Sequence, residues 1–347
     1  MVNENLLNIV MLVEIGLLAI AVVLFFSHGV WLFLTEKRLT RLSKTAREAL
    51  AQIVTRGTVH VEEMERLKVL PPDVQVIAFL EISRNLAGTG KERLRFAAQQ
   101  IGVVDRARKL CVGRRWQQRL RGARILSQLD VVDPLVQTLL ADPHPAVRAQ
   151  AAEWAASQPS GPVIAAMLAL LADQATQARF AVQNALLRMG RVVAAPLREF
   201  LETHSGRAAE AGLRVAGSLA EPSFGPSALR LSHVEDTGIR VAAAKLLGAI
   251  ADASAAERLT EMLGDAESRV RAAAAQALGR MQHWQAASLL AYGLRDRTWR
   301  VRRESGLALR AIGAPGVLFL RRALKGDDRF AADMAQQVLD LPEAAAG

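Results

Sequence analysis

The sequence predicts an all-α protein, a right-handed α-solenoid of stacked helical pairs preceded by a single transmembrane helix. Three observations carry this reading. The composition is rich in helix formers, chiefly Ala, Leu, Arg and Gln, with one Tyr and little β-branched clustering. The stretch Val270 to Met281, VRAAAAQALGRM, has close relatives 31 residues away on either side: Ile239-Arg240 before it and Val301-Arg302 after it, with Leu247, Leu278 and Leu309, and Gly248 and Gly279, in step. A fixed period of about 20 to 50 residues marks units that cannot bury an apolar face alone and must stack on their neighbours. Finally, Leu6 to Leu34 is a 29-residue run that is almost entirely apolar, broken by Asn8, Glu14, Ser27 and His28.

Taken in order, the chain divides into an anchor over 1–34, a juxtamembrane basic helix and linker over 35–72, an irregular basic start of the solenoid over 73–130, and regular pairs of about 31 residues over 131–347. A helix over the apolar run, rising about 1.5 Å per residue, exceeds the roughly 30 Å hydrocarbon core of a bilayer. No Lys or Arg precedes the run and no small-residue site closes it, so an uncleaved anchor is expected rather than a signal peptide. Lys37, Arg38, Arg41, Lys44 and Arg47 all follow it, which by the positive-inside rule puts the N-terminus outside and the solenoid in the cytoplasm. Trp31 and Phe33 stand where an interfacial aromatic belt belongs. Glu14 is either a contact with a partner inside the membrane or close enough to the outer interface to reach water.

Beyond Thr35 a basic helix continues to about Gly57, with Leu39, Leu42, Ala46, Ala49, Leu50 and Ile53 on one stripe. Pro71-Pro72 interrupts the pattern, Asp73 starts a helix over 74–86, and 87–90 is a turn. Two or three further helices follow, over 91–101, 104–112 and 114–129. From Arg84 to Arg124 there are twelve basic residues against Glu92 and Asp105, an excess equal to the whole formal charge of +10. Residues 125–347 are nearly balanced, with 24 basic and 23 acidic side chains. The bland reading of that segment is an ordinary solvated face. The favoured one is a surface for an acidic partner or an anionic membrane, through Arg93, Arg95, Arg106, Arg108, Lys109, Arg114, Arg115, Arg119 and Arg121.

After Leu129 the pairs become regular: 132–140 with 146–157, 161–171 with 176–189, 192–202 with 208–219, 223–231 with 238–250, 255–263 with 268–281, 284–294 with 298–312, and 315–324 with 329–341. Prolines such as Pro134, Pro162, Pro196 and Pro315 fall near first turns, where a missing N–H does little harm. Glycines such as Gly190, Gly279 and Gly313 fall at or near helix ends. In four units an Asp precedes by six residues the Arg that opens the second helix: Asp142 and Arg148, Asp173 and Arg179, Asp265 and Arg271, Asp296 and Arg302. An Asp there accepts orphan backbone N–H groups, and an Arg fork can bridge to the carboxylate of an adjacent unit. These residues form a structural ladder, with Arg271 assigned to Asp265. The pattern lapses around Thr203 to Ala209, at Asp236 with Arg240, and in the last unit, where Asp333 replaces the Arg.

Those pairs resemble HEAT repeats of the short bacterial, lyase-like kind, well over 131–341 and back to about Lys91. The resemblance implies an α-solenoid and, with the anchor, a place at the bacterial inner membrane. Some enzymes share the repeat type. The iron-dependent deoxyhypusine hydroxylases carry His-Glu pairs, but none of His28, His60, His144, His204, His233 or His283 is followed by Glu. Bilin lyases and helical-repeat DNA glycosylases are further comparisons, and nothing beyond the repeats and the basic segment supports either. Cys111 has no second thiol for a disulfide or zinc site and reads as a small buried hydrophobe.

No catalytic, cofactor-binding or metal residues are therefore named, and no cofactor or small-molecule substrate is expected. The expected function is a membrane-anchored, non-catalytic scaffold or adaptor. Its partner would be an integral membrane protein or its complex: a glycosyltransferase or polysaccharide synthase, a transporter, or a secretion assembly. A lyase-like or metal-dependent enzyme is the alternative, and nucleic-acid or anionic-lipid binding a minor one. Trp299, Arg300 and Arg303, on the row of second helices, form a second candidate surface of hot-spot residue types. Trp154 is assigned to packing between units.

Overall fold

The computed structural model describes the backbone of residues 4–56 and 61–342, and within them the side chains from residue 16 onward except 19, 29–36, 39 and 56. The described residues are helical and turn, with no strand. The chain forms two compact units, 1–132 and 133–347.

The first unit is built on α1, Glu4–Arg56, a helix that runs unbroken through the apolar segment into the basic one. Among the described residues no helix is long and apolar enough to cross a membrane. The expected transmembrane anchor thus finds no support there, and the side chains of Glu14, Trp31 and Phe33 lie outside the described residues. What is described of the run is exposed: Leu17, Leu18, Ile20 and Val22 to Phe26. Farther along, Ala46, Ala49, Leu50 and Ile53 recur at helical spacing and are buried, where α1 packs on α3, Pro72–Ser83, and α4, Thr89–Gln100.

Between them lies α2, Val61–Lys68, in a stretch expected to be linker. Its sequence, VEEMERLK, is too short and charged to show a period, yet it buries Met64 and Leu67. Gln75 of α3 holds it by donating from Nε2 to the carbonyls of Leu67 and Leu70 at 2.8 and 3.0 Å. Then α5, Val103–Cys111, and α6, Trp116–Gln128, close the unit. They meet at Gly122, where a Cβ would lie 2.6 Å from the carbonyl oxygen of Ala107. Cys111 is buried in the same contact, as expected of a small hydrophobe.

The second unit is the expected series of pairs. They are α7, Leu135–Leu140, with α8, Pro145–Ala155; α9, Gly161–Ala169, with α10, Thr176–Met189; and α11, Ala194–Thr203, with α12, Gly206–Leu219. Then come α13, Gly225–Leu231, with α14, Thr237–Ile250; α15, Ala253–Met262, with α16, Ser268–Arg280; α17, Ala287–Gly293, with α18, Trp299–Ala311; and α19, Ala314–Ala323, with α20, Arg329–Leu339. The second helices pack side by side, α12 on α14, α14 on α16 and α16 on α18. Ala272 to Ala275 are all buried in that row.

Gly279 proves to be a packing residue rather than a cap. A Cβ on it would sit 2.7 Å from the Cα of Ala308, and one on Gly248 would sit 2.9 Å from the Cα of Ala277. One period earlier, Gly217 has 3.9 Å to the Cα of Leu246. The helices end in register too: Ala220, Ala251, Gln282 and Gly313, 31 residues apart, all take positive φ. The stacking thus imposes a left-handed exit on Ala and Gln, where isolated sequence would favour Gly. Regularity fails most at one joint, for α10 and α12 meet far less extensively than α8 with α10 or α12 with α14, and α18 with α20 is the next loosest.

Candidate functional site

The ladder of Arg and Asp is present, with a different pairing from the one expected. Arg271 bridges forward to Asp296 in a bidentate pair, Nε to Oδ2 at 2.8 Å and Nη2 to Oδ1 at 3.0 Å. Arg148 pairs in the same way with Asp173 at 2.6 and 2.9 Å, and Arg240 with Asp265 at 2.9 and 3.0 Å. From the Asp six residues earlier Arg271 takes only the backbone: its Nη1 donates to the carbonyls of Asp265 and Ala266 at 2.8 and 2.9 Å. Hence the apparent lapse at Arg240 is no lapse, because the carbonyls of Val234 and Glu235 serve as well as those of Asp265 and Ala266. Asp236 instead caps α14, accepting from the N–H groups of Gly238 and Ile239.

Each paired Asp also accepts the N–H two residues on: Ala175 for Asp173, Glu267 for Asp265 and Thr298 for Asp296. Asp142 does the same for His144 at 2.8 Å. Burial pushes the Asp173 and Asp296 carboxyls up, but Arg148 and Arg271 with the local N–H groups outweigh it and hold both below the ordinary value. The bond from Asp296 raises Arg271 in turn. Two rungs stay open. Arg179 donates to the carbonyls of Asp173 and Gln174 and to Thr176 Oγ1, and 25 residues on the chain offers His204 instead of an Asp. His204 stacks on Phe200, with ring centroids 3.8 Å apart. Arg302 donates to the carbonyls of Asp296 and Arg297 and lies over the Phe330 ring at 5.1 Å. The closed rungs are a structural device, since Arg148, Arg240 and Arg271 are largely buried and hold both a carboxylate and main-chain carbonyls.

The basic segment divides by role. Half-buried Arg93 donates to the carbonyl of Val54 at 2.8 Å, and Arg95 to that of Asp130 at 2.9 Å. Arg106 donates to Gln75 Oε1 and Arg119 to the carbonyls of Gly113 and Arg114. Arg108 pairs with Asp105 at 2.9 Å and Arg121 with Asp73 at 2.6 Å. Lys109, Arg114 and Arg115 are exposed. A face of nine solvated cations is thus reduced to a smaller exposed set, while the rest hold main-chain carbonyls or carboxylates.

Three of these residues border an open cleft of about 340 Å³ between α3, α5 and α6. Arg106, Lys109 and Arg121 stand with Asp73 around a lining of Val76, Val103, Ala107, Leu110 and Ile125. The sequence reading missed these apolar residues. The α5 members, Val103, Ala107 and Leu110 at i, i+4 and i+7, give the signal of any amphipathic helix, which does not say whether a neighbour covers the face.

On α18, Trp299 is 56% exposed with the Arg303 guanidinium 5.9 Å from its ring, while Arg303 also pairs with the buried Glu304 at 2.9 Å. Arg300 is exposed beside Glu304 in a small hollow of about 80 Å³. Trp154 is fully buried, as its assignment to packing required. A cleft of about 640 Å³ in the second unit lies between the 263–268 and 295–298 turns, where Asp265, Arg271 and Asp296 of the ladder and the exposed Tyr292 are among its lining. Among the described residues no three His, Cys, Asp or Glu side chains gather as a metal ion would need.

Residues 257–340 match the family model for HEAT repeats. No curated protein sequence matches the chain. Among solved structures the chain is similar to one from the Kap95:Nup1 complex, at 13% identity and a TM-score of 0.51, over 86% of this chain and 51% of that one. It is similar to one from a structure in which Kap95p binding switches the loops of RanGDP, at 13% and 0.50, over 84% and 51%. Yeast importin-β is a third, at 11% and 0.50, over 86% and 51%. The chain spans about half the length of these proteins. At such identities the likeness shows the fold alone, a helical solenoid, and the match to HEAT repeats is over residues 257–340.

Proposed function

We propose that the chain is a membrane-attached, non-catalytic adaptor whose HEAT solenoid binds a protein partner, an integral membrane protein or its complex, at the cytoplasmic face. The observation that carries this reading is the row of large apolar side chains on α1, from Leu17 to Phe26, standing exposed on a helix that continues into a folded helical unit. A contiguous apolar surface of that kind needs lipid or another apolar helix to cover it. The basic residues that follow, from Lys37 to Arg47, favour the cytoplasmic side for the rest of the chain. The solenoid supports the adaptor role because stacked units expose an extended surface, and the proteins of similar fold include those in the Kap95:Nup1 and RanGDP structures.

The test is fractionation of the full chain followed by alkaline carbonate extraction. The chain should stay with the membrane, and Val23→Asp with Phe26→Asp should release it. Recovery of the unmodified chain in the soluble fraction would overturn the membrane attachment. Purification in mild detergent should yield a stoichiometric membrane companion, and its absence would overturn the adaptor role. Stoichiometric iron or zinc in the purified protein would favour the metal-dependent enzyme instead.

A further inference from the structure

The cleft between α3, α5 and α6 is shaped for a helix. Val103, Arg106, Ala107 and Leu110 present one face of α5, while Gln118, Arg121 and Ile125 present one face of α6 at i, i+3 and i+7. Two helices showing such ridges leave a groove between them, and the side-chain ridge of a third helix fits it. At about 340 Å³ the cleft lies at the low end of the roughly 300 to 1,000 Å³ usual for small-molecule sites, which suits a few anchoring side chains.

Its charge selects the partner. Three cations, Arg106, Lys109 and Arg121, border it with one acid, Asp73, and that acid is already paired with Arg121. Arg106 is fixed by Gln75, so its charge is held at the rim before anything binds. The surrounding segment adds exposed Arg84, Arg114, Arg115 and Arg124. A bilayer surface would satisfy these cations but is too flat to cover an apolar recess. An amphipathic helix does both.

We propose that this cleft docks an acidic amphipathic helix of the protein partner, with bulky apolar side chains in the recess and a carboxylate against Lys109. The proposal rests on the adaptor reading and names the feature by which the partner is recognised.

The test uses the full chain in mild detergent and three probes: a labelled helical peptide with Leu along one face flanked by Glu, the same peptide with Lys for Glu, and phosphatidylglycerol vesicles. Fluorescence anisotropy should show binding of the Glu peptide and not of the Lys peptide. Lys109→Glu reverses the rim charge and Gln118→Trp obstructs the mouth. Both positions are exposed, so circular dichroism should be unchanged, while each substitution weakens the Glu peptide by about tenfold or more. Failure of the Glu peptide to bind, equal binding of the Lys peptide, or indifference to both substitutions would overturn the cleft. So would substitutions that release vesicles and spare the peptide. If the cleft fails while a membrane companion still co-purifies, the adaptor reading stands; if the companion is lost as well, both fall.

Discussion

The stretch from α13 to α18 and the joint between α10 and α12 belong to one unit and one pattern, and they differ in two respects at once. In the regular stretch Arg240 and Arg271 close bidentate rungs on Asp265 and Asp296, and the second helices approach until Gly248 and Gly279 nearly touch the next backbone. At the joint Arg179 faces a chain with His204 in place of the Asp, and α10 and α12 share little surface. At this joint the missing carboxylate and the loose contact coincide, whereas α12 and α14 pack extensively although Val234 stands at the corresponding place. In a solenoid, stability is the sum of units and nearest-neighbour interfaces, so one weak interface marks where the array yields first.

The largest effect should come from breaking a closed rung. Arg271→Ala leaves Asp296, whose side chain is 13% exposed, without its partner and should cost about 3 kcal/mol in urea unfolding. Arg179→Ala removes hydrogen bonds to carbonyls without orphaning a carboxylate and should cost nearer 1 kcal/mol. Equal losses would dissolve the comparison. Packing comes next: Gly279→Val puts a side chain against Ala308 and should cost roughly 2 kcal/mol by overpacking. Gly217→Val, in ordinary contact with Leu246, should cost less than about 1 kcal/mol.

Acid should act on the rungs as well. The Asp173 and Asp296 carboxyls titrate lower in the folded chain than their ordinary value. Their contribution is therefore complete above the unfolded value of about 3.9 and is lost as the pH falls through the lower folded value. Thermal melts below pH 4 should drop more steeply for the parent chain than for Asp296→Asn, which has one such carboxyl fewer. The smallest change is a repair. His204→Asp places a carboxylate 25 residues after Arg179 and should add up to about 1 kcal/mol, with slower amide exchange in α10 and α11. No gain would mean that the joint is set by packing rather than by the missing rung.

Much of the second unit was legible because its signals are local and repeated. Proline at first turns, the 31-residue period and the Asp and Arg of each unit all survive in one dimension, and the helices appear within a few residues of their expected bounds. The partner of Arg271 was not legible. Asp265 at six residues and Asp296 at 25 are both in step with the period, and only the stacking decides that the fork reaches forward while the nearer Asp offers its carbonyl. The role of Gly279 was hidden for the same reason, since a glycine near a helix end looks alike as a cap or as a close contact. In the first unit α2 escaped notice because eight charged-rich residues carry no readable period.

What the sequence determined by itself is the kind of protein: helix-forming composition, periodic apolar faces and regular punctuation leave a stacked helical array as the way to bury those faces. The tertiary structure alone decided which charges are spent. Arg93, Arg95 and Arg106 turn inward to carbonyls and to Gln75, Arg148 and Arg271 to the next Asp, while Lys109, Arg114 and Arg115 remain exposed. Composition counts an arginine the same in either place. Its meaning depends on whether a carbonyl or carboxylate from a distant turn reaches it, and that is set by the packing of helices far apart in the chain.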